Sequence, residues 1–225
     1  MSPGRFCLSY CLLLQLHEMF YNGPLTACPV TQSFIRLVFM SQFSAFQSER
    51  LLFRPLSTDD VPRFRVLLQA REIAENGLGV HHPYQEGDAE RMIENALTGL
   101  RKHRYTWGIV IKSMEDLAGL ITITVMPAHY SGEIGYWIGK DYWNKGYATE
   151  AVNGVIAYGF EHLNLNRIFG RSFPDNPASS RVMEKAGMVY EGRLRQELWH
   201  KLHQEFKDLL VFSILRMEYE SRQEP

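Results

Sequence analysis

A chain of 225 residues accommodates one domain, or one domain with an appendage. Its 45% hydrophobic and 22% charged residues exclude wholesale disorder, and 24 Lys plus Arg against 25 Asp plus Glu lack the basic excess that neutralises nucleic-acid phosphates. No run reaches the roughly 18 apolar residues of a membrane span, and 17 Gly and 10 Pro without a low-complexity tract exclude repeat and collagen-like architectures.

Composition breaks near Met40. Cys7, Cys11 and Cys28 are the only cysteines, and the first 39 residues hold just Arg5, Glu18 and Arg36 as charged side chains, leaving 22 basic and 24 acidic groups for the body. Arg5 followed by Phe6 to Leu16 has the outline of a signal peptide. Leu25-Thr26-Ala27-Cys28 resembles a lipoprotein cleavage box, but His17, Glu18, Asn22 and Gly23 interrupt the apolar run it requires. The expectation is an atypical extension over residues 1–39, with translation starting at Met40, ahead of a cysteine-free body that suits a reducing cytoplasm. Export and a real but disposable extension are the other readings of this segment.

Arg50 to Leu56 reads as a first strand, and Thr58 with Asp59 and Asp60 supplies a cap and an acidic first turn for a helix from Val61 to about Glu75. A loop with His81-His82-Pro83-Tyr84 leads to a second helix, Asp88 to Arg104, whose Met92, Ile93, Ala96, Leu97 and Leu100 recur at helical spacing. Tyr105 to Lys112 and Leu117 to Val125 form a hairpin through Ser113–Asp116, and Glu133 to Ile138 is a fourth strand. Ala148, Ala151, Val152, Val155, Ile156, Gly159, Phe160 and Leu163 predict a third helix, with Thr149, Glu150, Asn153 and His162 exposed. Arg167 to Phe173 is a fifth strand, a fourth helix follows Asn176, and Met188–Trp199 with Leu209–Met217 predict a closing hairpin. The order is that of a mixed α/β domain.

The fourth strand passes through Gly139-Lys140-Asp141-Tyr142-Trp143-Asn144-Lys145-Gly146 into the third helix. A helix N-terminus offers unpaired N–H groups and about half a positive charge, and a glycine lets the backbone approach an anion. That alone does not specify a phosphate site, since any strand–turn–helix needs a glycine. P-loop and dinucleotide-binding glycine motifs are missing.

The run from Gly135 to Val152 (GYWIGKDYWNKGYATEAV) resembles the acetyl-CoA segment of the GNAT acyltransferase superfamily. It is most similar to its ribosomal-protein N-terminal acetyltransferase (RimJ/RimL-type) branch. Ser48–Asp60 resembles that branch's opening strand and helix, and Asn176–Arg195 its N-x-x-S helix and following strand. The likeness spans about residues 48–220. It implies an α/β (α+β) fold with about seven strands splayed between the fourth and fifth, about four helices, and acetyl-CoA in the cleft. By the resemblance, the backbone of Trp143, Asn144, Lys145, Gly146, Tyr147 and Ala148 holds the diphosphate, although Trp143 departs from the family's Gln/Arg. Tyr136, Trp137 and Ile138 would bind the pantetheine arm, and a preorganised N–H opposite the oxyanion is worth about 3 kcal/mol.

Asn176, Pro177 and Gly187 have the cap, first-turn and stop positions of an ordinary helix. The resemblance adds a cofactor contact for Asn176 and makes Ser179 the acid that protonates the departing thiolate, with Ser180 as substitute. The family's usual tyrosine is replaced by Met183. Glu133 is the leading base, ahead of His81, His82 and His129, and its plain reading is an exposed strand-end carboxylate. Tyr84, Tyr130, Trp107 and Trp199 are aromatic candidates for an acceptor wall, or simply core. The His81–His82 pair lacks a third ligand, so no metal is expected. An α-amine of pKa about 7.7–8.0 is roughly 10–20% neutral at pH 7, against about 0.04% for lysine, so N-terminal amines succeed mainly by positioning. The expectation is a cytoplasmic acetyl-CoA-dependent N-acetyltransferase without nucleic-acid or membrane partners. Its acceptor is a protein N-terminus or else a small-molecule amine (antibiotic, polyamine or amino-acid derivative), and a non-catalytic acyl-CoA-binding module is the rival. Oligomeric state is left open.

Overall fold

A computed structural model describes residues 44–77, 82–99 and 103–223. The 1–39 extension, Met40, His81 and Leu100 lie outside them. Eight strands form one sheet: β1 (Phe46–Gln47), β2 (Leu51–Pro55), β3 (Arg104–Ile111), β4 (Asp116–Met126), β5 (Ser131–Ile138), β6 (Arg167–Ser172), β7 (Val189–His200) and β8 (Glu205–Leu215). Their spatial order is β1-β2-β3-β4-β5-β6-β8-β7, and the β5–β6 pair is parallel while its neighbours are antiparallel. The helices are α1 (Val61–Leu67), α2 (Arg71–Asn76), α3 (Asp88–Gly99), α4 (Tyr147–Glu161), α5 (Pro177–Lys185) and α6 (Arg216–Glu220).

The two-residue period of the strands divides the apolar side chains between two cores. Leu51, Phe53, Trp107, Ile109, Ile121 and Ile123 face one side, where Val152, Val155 and Ile156 of α4 cover them. Leu52, Val110 and Leu120 face the other, under Phe64, Ile73, Ile93 and Ala96 of the first three helices and Leu68 at the C-cap of α1. Burial on both faces explains why β3 and β4 read as nearly continuous apolar runs.

The splay expected between the fourth and fifth predicted strands is the β5–β6 boundary, because β1 adds one strand at the start. The two pair only from Ser131↔Arg167 to Ile134↔Gly170, so Gly135–Ile138 has no partner on that side. Gly139 N–H bonds to Ala118 O of β4 at 2.7 Å. Strand alternation therefore aims the N–H groups of Tyr136 and Ile138 into the gap.

Several boundaries differ from the sequence expectation. The predicted first helix breaks because Ala70 adopts ψ 115°, which swings α2 so that Ile73 and Ala74 reach the core. No Gly or Pro signals this break. The second helix is described as far as Gly99, and Arg104, expected at its end, instead opens β3. Leu97, assigned to its apolar face, is 49% exposed. Strand β8 ends at Leu215, whose N–H bonds to the Glu218 carboxylate at 2.8 Å and so starts α6.

The start of α4 is tied to the sheet edge through Glu150, which is half-buried rather than exposed. Its carboxylate accepts from Ser48 Oγ (2.6 Å), Arg50 N–H (2.7 Å) and Arg50 Nε (2.6 Å). Burial pushes this carboxyl up, but the bonds from Ser48 and Arg50 outweigh it and leave the net shift downward. A lowered folded pKa stabilises the protein above the unfolded value of about 4.3 and loses that contribution as pH falls through the folded value. Glu150→Gln should therefore cost about 1–3 kcal/mol at pH 7 by thermal denaturation. The gap from wild type should close toward pH 3; an equal gap at both pH values would contradict this role.

Candidate functional site

After β5 the chain makes a tight turn over Lys140–Tyr142, and Asn144 (φ 60°) and Gly146 (φ 80°) both take left-handed backbone. Gly146 is the N-cap of α4, a position where a glycine has no Cβ penalty. The first intrahelical bond runs from Glu150 N–H to Gly146 O (3.0 Å), so the N–H groups of Tyr147, Ala148 and Thr149 precede it and point from the helix end. Fifteen aligned peptides add their dipole at that point.

The loop is pinned at both ends. At its start, the Tyr142 ring is buried and its hydroxyl donates to the Asp116 carboxylate, while Arg63 Nη2 reaches both. At its end, Arg50 Nη1 donates to Lys145 O (2.9 Å) and the Arg50 guanidinium lies 4.8 Å from the centre of the Tyr147 ring. Trp143 Nε1 donates to Ile138 O (2.6 Å), folding the loop back onto the strand end.

Two clefts open at the splay. The smaller, about 360 Å³, is lined by Tyr136, Ile138, Trp143, Asn144, Gly146, Tyr147, Ala148 and Asn176, together with Ser179. Of the nine residues expected at the cofactor, only Lys145 is missing from this lining; its ammonium donates to Asp141 O at 2.9 Å instead. Arg181 and Lys185, one turn apart on α5, also line it and bring positive charge. Neither is among the residues expected from the sequence, although their i,i+4 spacing on the helix after Asn176 puts them on one face.

The larger cleft, about 610 Å³, lies on the other side of the splay, and Glu133, Tyr84, Gly135, Arg91, Arg104 and Arg171 are among its lining. The two clefts share Asn76, Gly77, Tyr136, Trp137 and Ser179. At that junction Tyr136 Oη and Ser179 Oγ are 2.9 Å apart. Burial pushes the Tyr136 phenol up to about 12 against the opposing hydrogen bond from Ser179. Asn176 Oδ1 accepts from Ser179 N–H (3.1 Å), so its capping role is realised while it also lines the smaller cleft.

The remaining candidates divide clearly. Ser180 lines neither cleft and pairs with Ser172 Oγ at 3.0 Å, and Met183 is buried against Gly170. Glu133 faces the larger cleft but is held by Arg171 Nε at 2.7 Å. His82 and His129 line neither cleft, and His81 lies outside the described residues. Of the four aromatic wall candidates, Tyr84 alone lines the larger cleft, and its buried hydroxyl has no partner among the described residues. Trp107 is fully buried core, while Tyr130 and Trp199 are exposed elsewhere. Among the described residues no three His, Cys, Asp or Glu side chains converge, and no helix is long and apolar enough to cross a membrane.

Residues 50–189 match the acetyltransferase (GNAT) domain family. The uncharacterized N-acetyltransferase YoaA of Bacillus subtilis (strain 168) is 31% identical over 70% of this chain and 89% of its own length. Spermidine N(1)-acetyltransferase of Vibrio cholerae is 29% identical over 52% of this chain and 66% of its own. The ribosomal-protein alpha-N acetyltransferase RimL, solved in complex with coenzyme A, superposes with a TM-score of 0.68 over 76% of this chain and 97% of RimL; at 15% identity it shows the shared fold. A splayed sheet, a glycine-capped helix N-terminus at the splay and a matching family over most of the chain together make this protein a member of the GNAT acetyltransferase family, with N-acetyltransferase activity.

Proposed function

We propose that residues 48–220 transfer the acetyl group of acetyl-CoA directly to a primary amine, and that the amine is the α-amine of a protein N-terminus. The observation that carries the transfer is the meeting of the two clefts at Tyr136 and Ser179. The smaller cleft takes the donor. Its diphosphate lies against the N–H groups of the Trp143–Ala148 loop, and Arg181 and Lys185 supply further positive charge. The strand N–H groups aimed into the gap at Tyr136 and Ile138 stabilise the oxyanion, and Ser179 protonates the leaving sulfur. Acetyl-CoA is a cytosolic metabolite, which supports a cytoplasmic site of action.

The acceptor reading rests on charge. Arg91, Arg104 and Arg171 line the larger cleft against the carboxylates of Asp88 and Glu133. Asp88 pairs with Arg91 and Glu133 with Arg171, and Arg104 has no ion-pair partner among the described residues. An arginine majority repels a polyamine and suits an acceptor that carries acidic groups beside its amine. Glu133, already paired with Arg171, takes the first ammonium proton directly or through water. An α-amine, partly neutral at pH 7, depends on that transfer less than a lysine does. A small-molecule amine is the second reading, supported by the spermidine-acetylating relative.

Calorimetry should give micromolar acetyl-CoA binding that Gly146→Glu abolishes, because a carboxylate then occupies the anion's place. Free-thiol release should be faster with the peptide Ser-Glu-Ala-Gly, its N-terminus free, than with spermidine, and absent with the N-acetylated peptide. Fastest release with spermidine would favour the polyamine reading, and binding without thiol release would make the chain a non-catalytic module. A further variant probes the acceptor cleft alone. A Cβ on Gly135 meets nothing within 4 Å, so Gly135→Val should fold and bind acetyl-CoA normally while raising the peptide KM by about tenfold, a loss within the usual range for interfering with one pocket contact. An unchanged KM would remove Gly135 from the acceptor path.

A further inference from the structure

Among the five residues shared by the two clefts, only three carry side-chain groups that bind or exchange protons through nitrogen or oxygen at their tips without an indole: Asn76, Tyr136 and Ser179. Asn76 is committed to Glu72 O through its amide at 2.7 Å. Tyr136 Oη and Ser179 Oγ bond to each other at 2.9 Å, and the tyrosine's oxygen also lies 3.3 Å from Ser179 O. The pair thus reaches from the acceptor cleft to the donor cleft through the opening between β5 and β6.

A serine acting alone as the acid has a difficulty. Giving its proton to a thiolate, whose conjugate acid has a pKa of about 8.5, leaves an alkoxide that is a far stronger base. A second hydroxyl removes the difficulty when it refills the serine as the serine empties. We propose that Tyr136 and Ser179 form a neutral proton wire from the attacking nitrogen to the leaving sulfur, an inference that rests on the direct-transfer reading given above.

The steps balance without a further reagent. The acceptor ammonium first loses one proton to Glu133 or water. The neutral amine attacks the thioester carbon, forming the N–C bond and an oxyanion with positive nitrogen. As the oxyanion re-forms the carbonyl, the C–S bond breaks and its electron pair goes to sulfur. The proton on nitrogen passes to Tyr136 Oη, the tyrosine's own proton passes to Ser179 Oγ, and the serine's proton passes to sulfur. Amide and thiol leave, and both hydroxyls end as they began. The buried phenol stays protonated through the neutral range, as a two-way relay requires.

Single-turnover acetyl transfer tests the wire, with Ser-Glu-Ala-Gly as acceptor, or spermidine should wild type prefer it. Tyr136→Phe keeps the ring and deletes one oxygen. It and Ser179→Ala should each slow the transfer step by about 100-fold, in the range for a lost proton-transfer group. KM and the acetyl-CoA Kd should stay within about threefold, and the double variant should be no slower than the slower single, because both cut one path. Ser179→Cys, which keeps a transferable proton, should be at least tenfold faster than Ser179→Ala. Single losses that multiply in the double variant, wild-type rates in Tyr136→Phe, or equal rates for the Cys and Ala variants would each overturn the wire. A wild type that binds acetyl-CoA yet acetylates neither acceptor would instead overturn direct transfer, and the wire with it.

Discussion

The site depends on where two parallel strands stop pairing. Beyond Ile134 and Gly170, β5 and β6 exchange no further backbone bonds, and the strand end at Gly135–Ile138 is left with polar groups facing a gap. In a continuous sheet those N–H groups would be consumed by a neighbour. Unpaired toward β6, they remain available to a ligand, and the gap itself joins the two faces of the sheet. The smaller cleft lies to one side, the larger to the other, and Tyr136 and Ser179 stand where they meet.

A gap of this kind is useful only when its rim is rigid. The loop that follows β5 is held by contacts far from it in sequence. Tyr142 is anchored by Asp116 and Arg63, and Glu150 is anchored by Ser48 and Arg50 from the edge of the sheet. These bonds fix the direction of α4 and of the N–H groups at its start. Trp143 has a comparable role at shorter range: its indole closes on Ile138 O, so the departure from the family's Gln/Arg at that position supplies a tie between loop and strand. The left-handed backbone at Asn144 and Gly146 lets the chain make this turn within a few residues.

Much of this was legible in the sequence because the signals are local. Gly146 ahead of the amphipathic run from Ala148, and Asn176-Pro177 ahead of Ser179, mark two helix starts by their chemistry alone, and both are observed. The two-residue period separated the strands, and resemblance supplied the splay that no periodicity encodes. What could not be read was tertiary. The break at Ala70 follows from the packing of Ile73 and Ala74, and the pairing of Glu150 with Arg50 joins residues 100 positions apart. The same holds for Glu133, whose partner Arg171 belongs to a strand that becomes its neighbour only in the folded sheet. Tyr136 was legible as a strand residue, but its hydroxyl contact with Ser179 needed the geometry of α5 against the gap.

The central claim is that the donor thioester lies at the junction of the two clefts, between the β5 strand end and Ser179. A crystal structure of the protein with coenzyme A tests it most directly. The prediction is a diphosphate against the backbone of residues 143–148 and a sulfur within hydrogen-bonding reach, about 3.5 Å, of Ser179 Oγ. A cofactor whose sulfur lies away from the Tyr136–Ser179 pair, or whose diphosphate avoids the Gly146 loop, would contradict it.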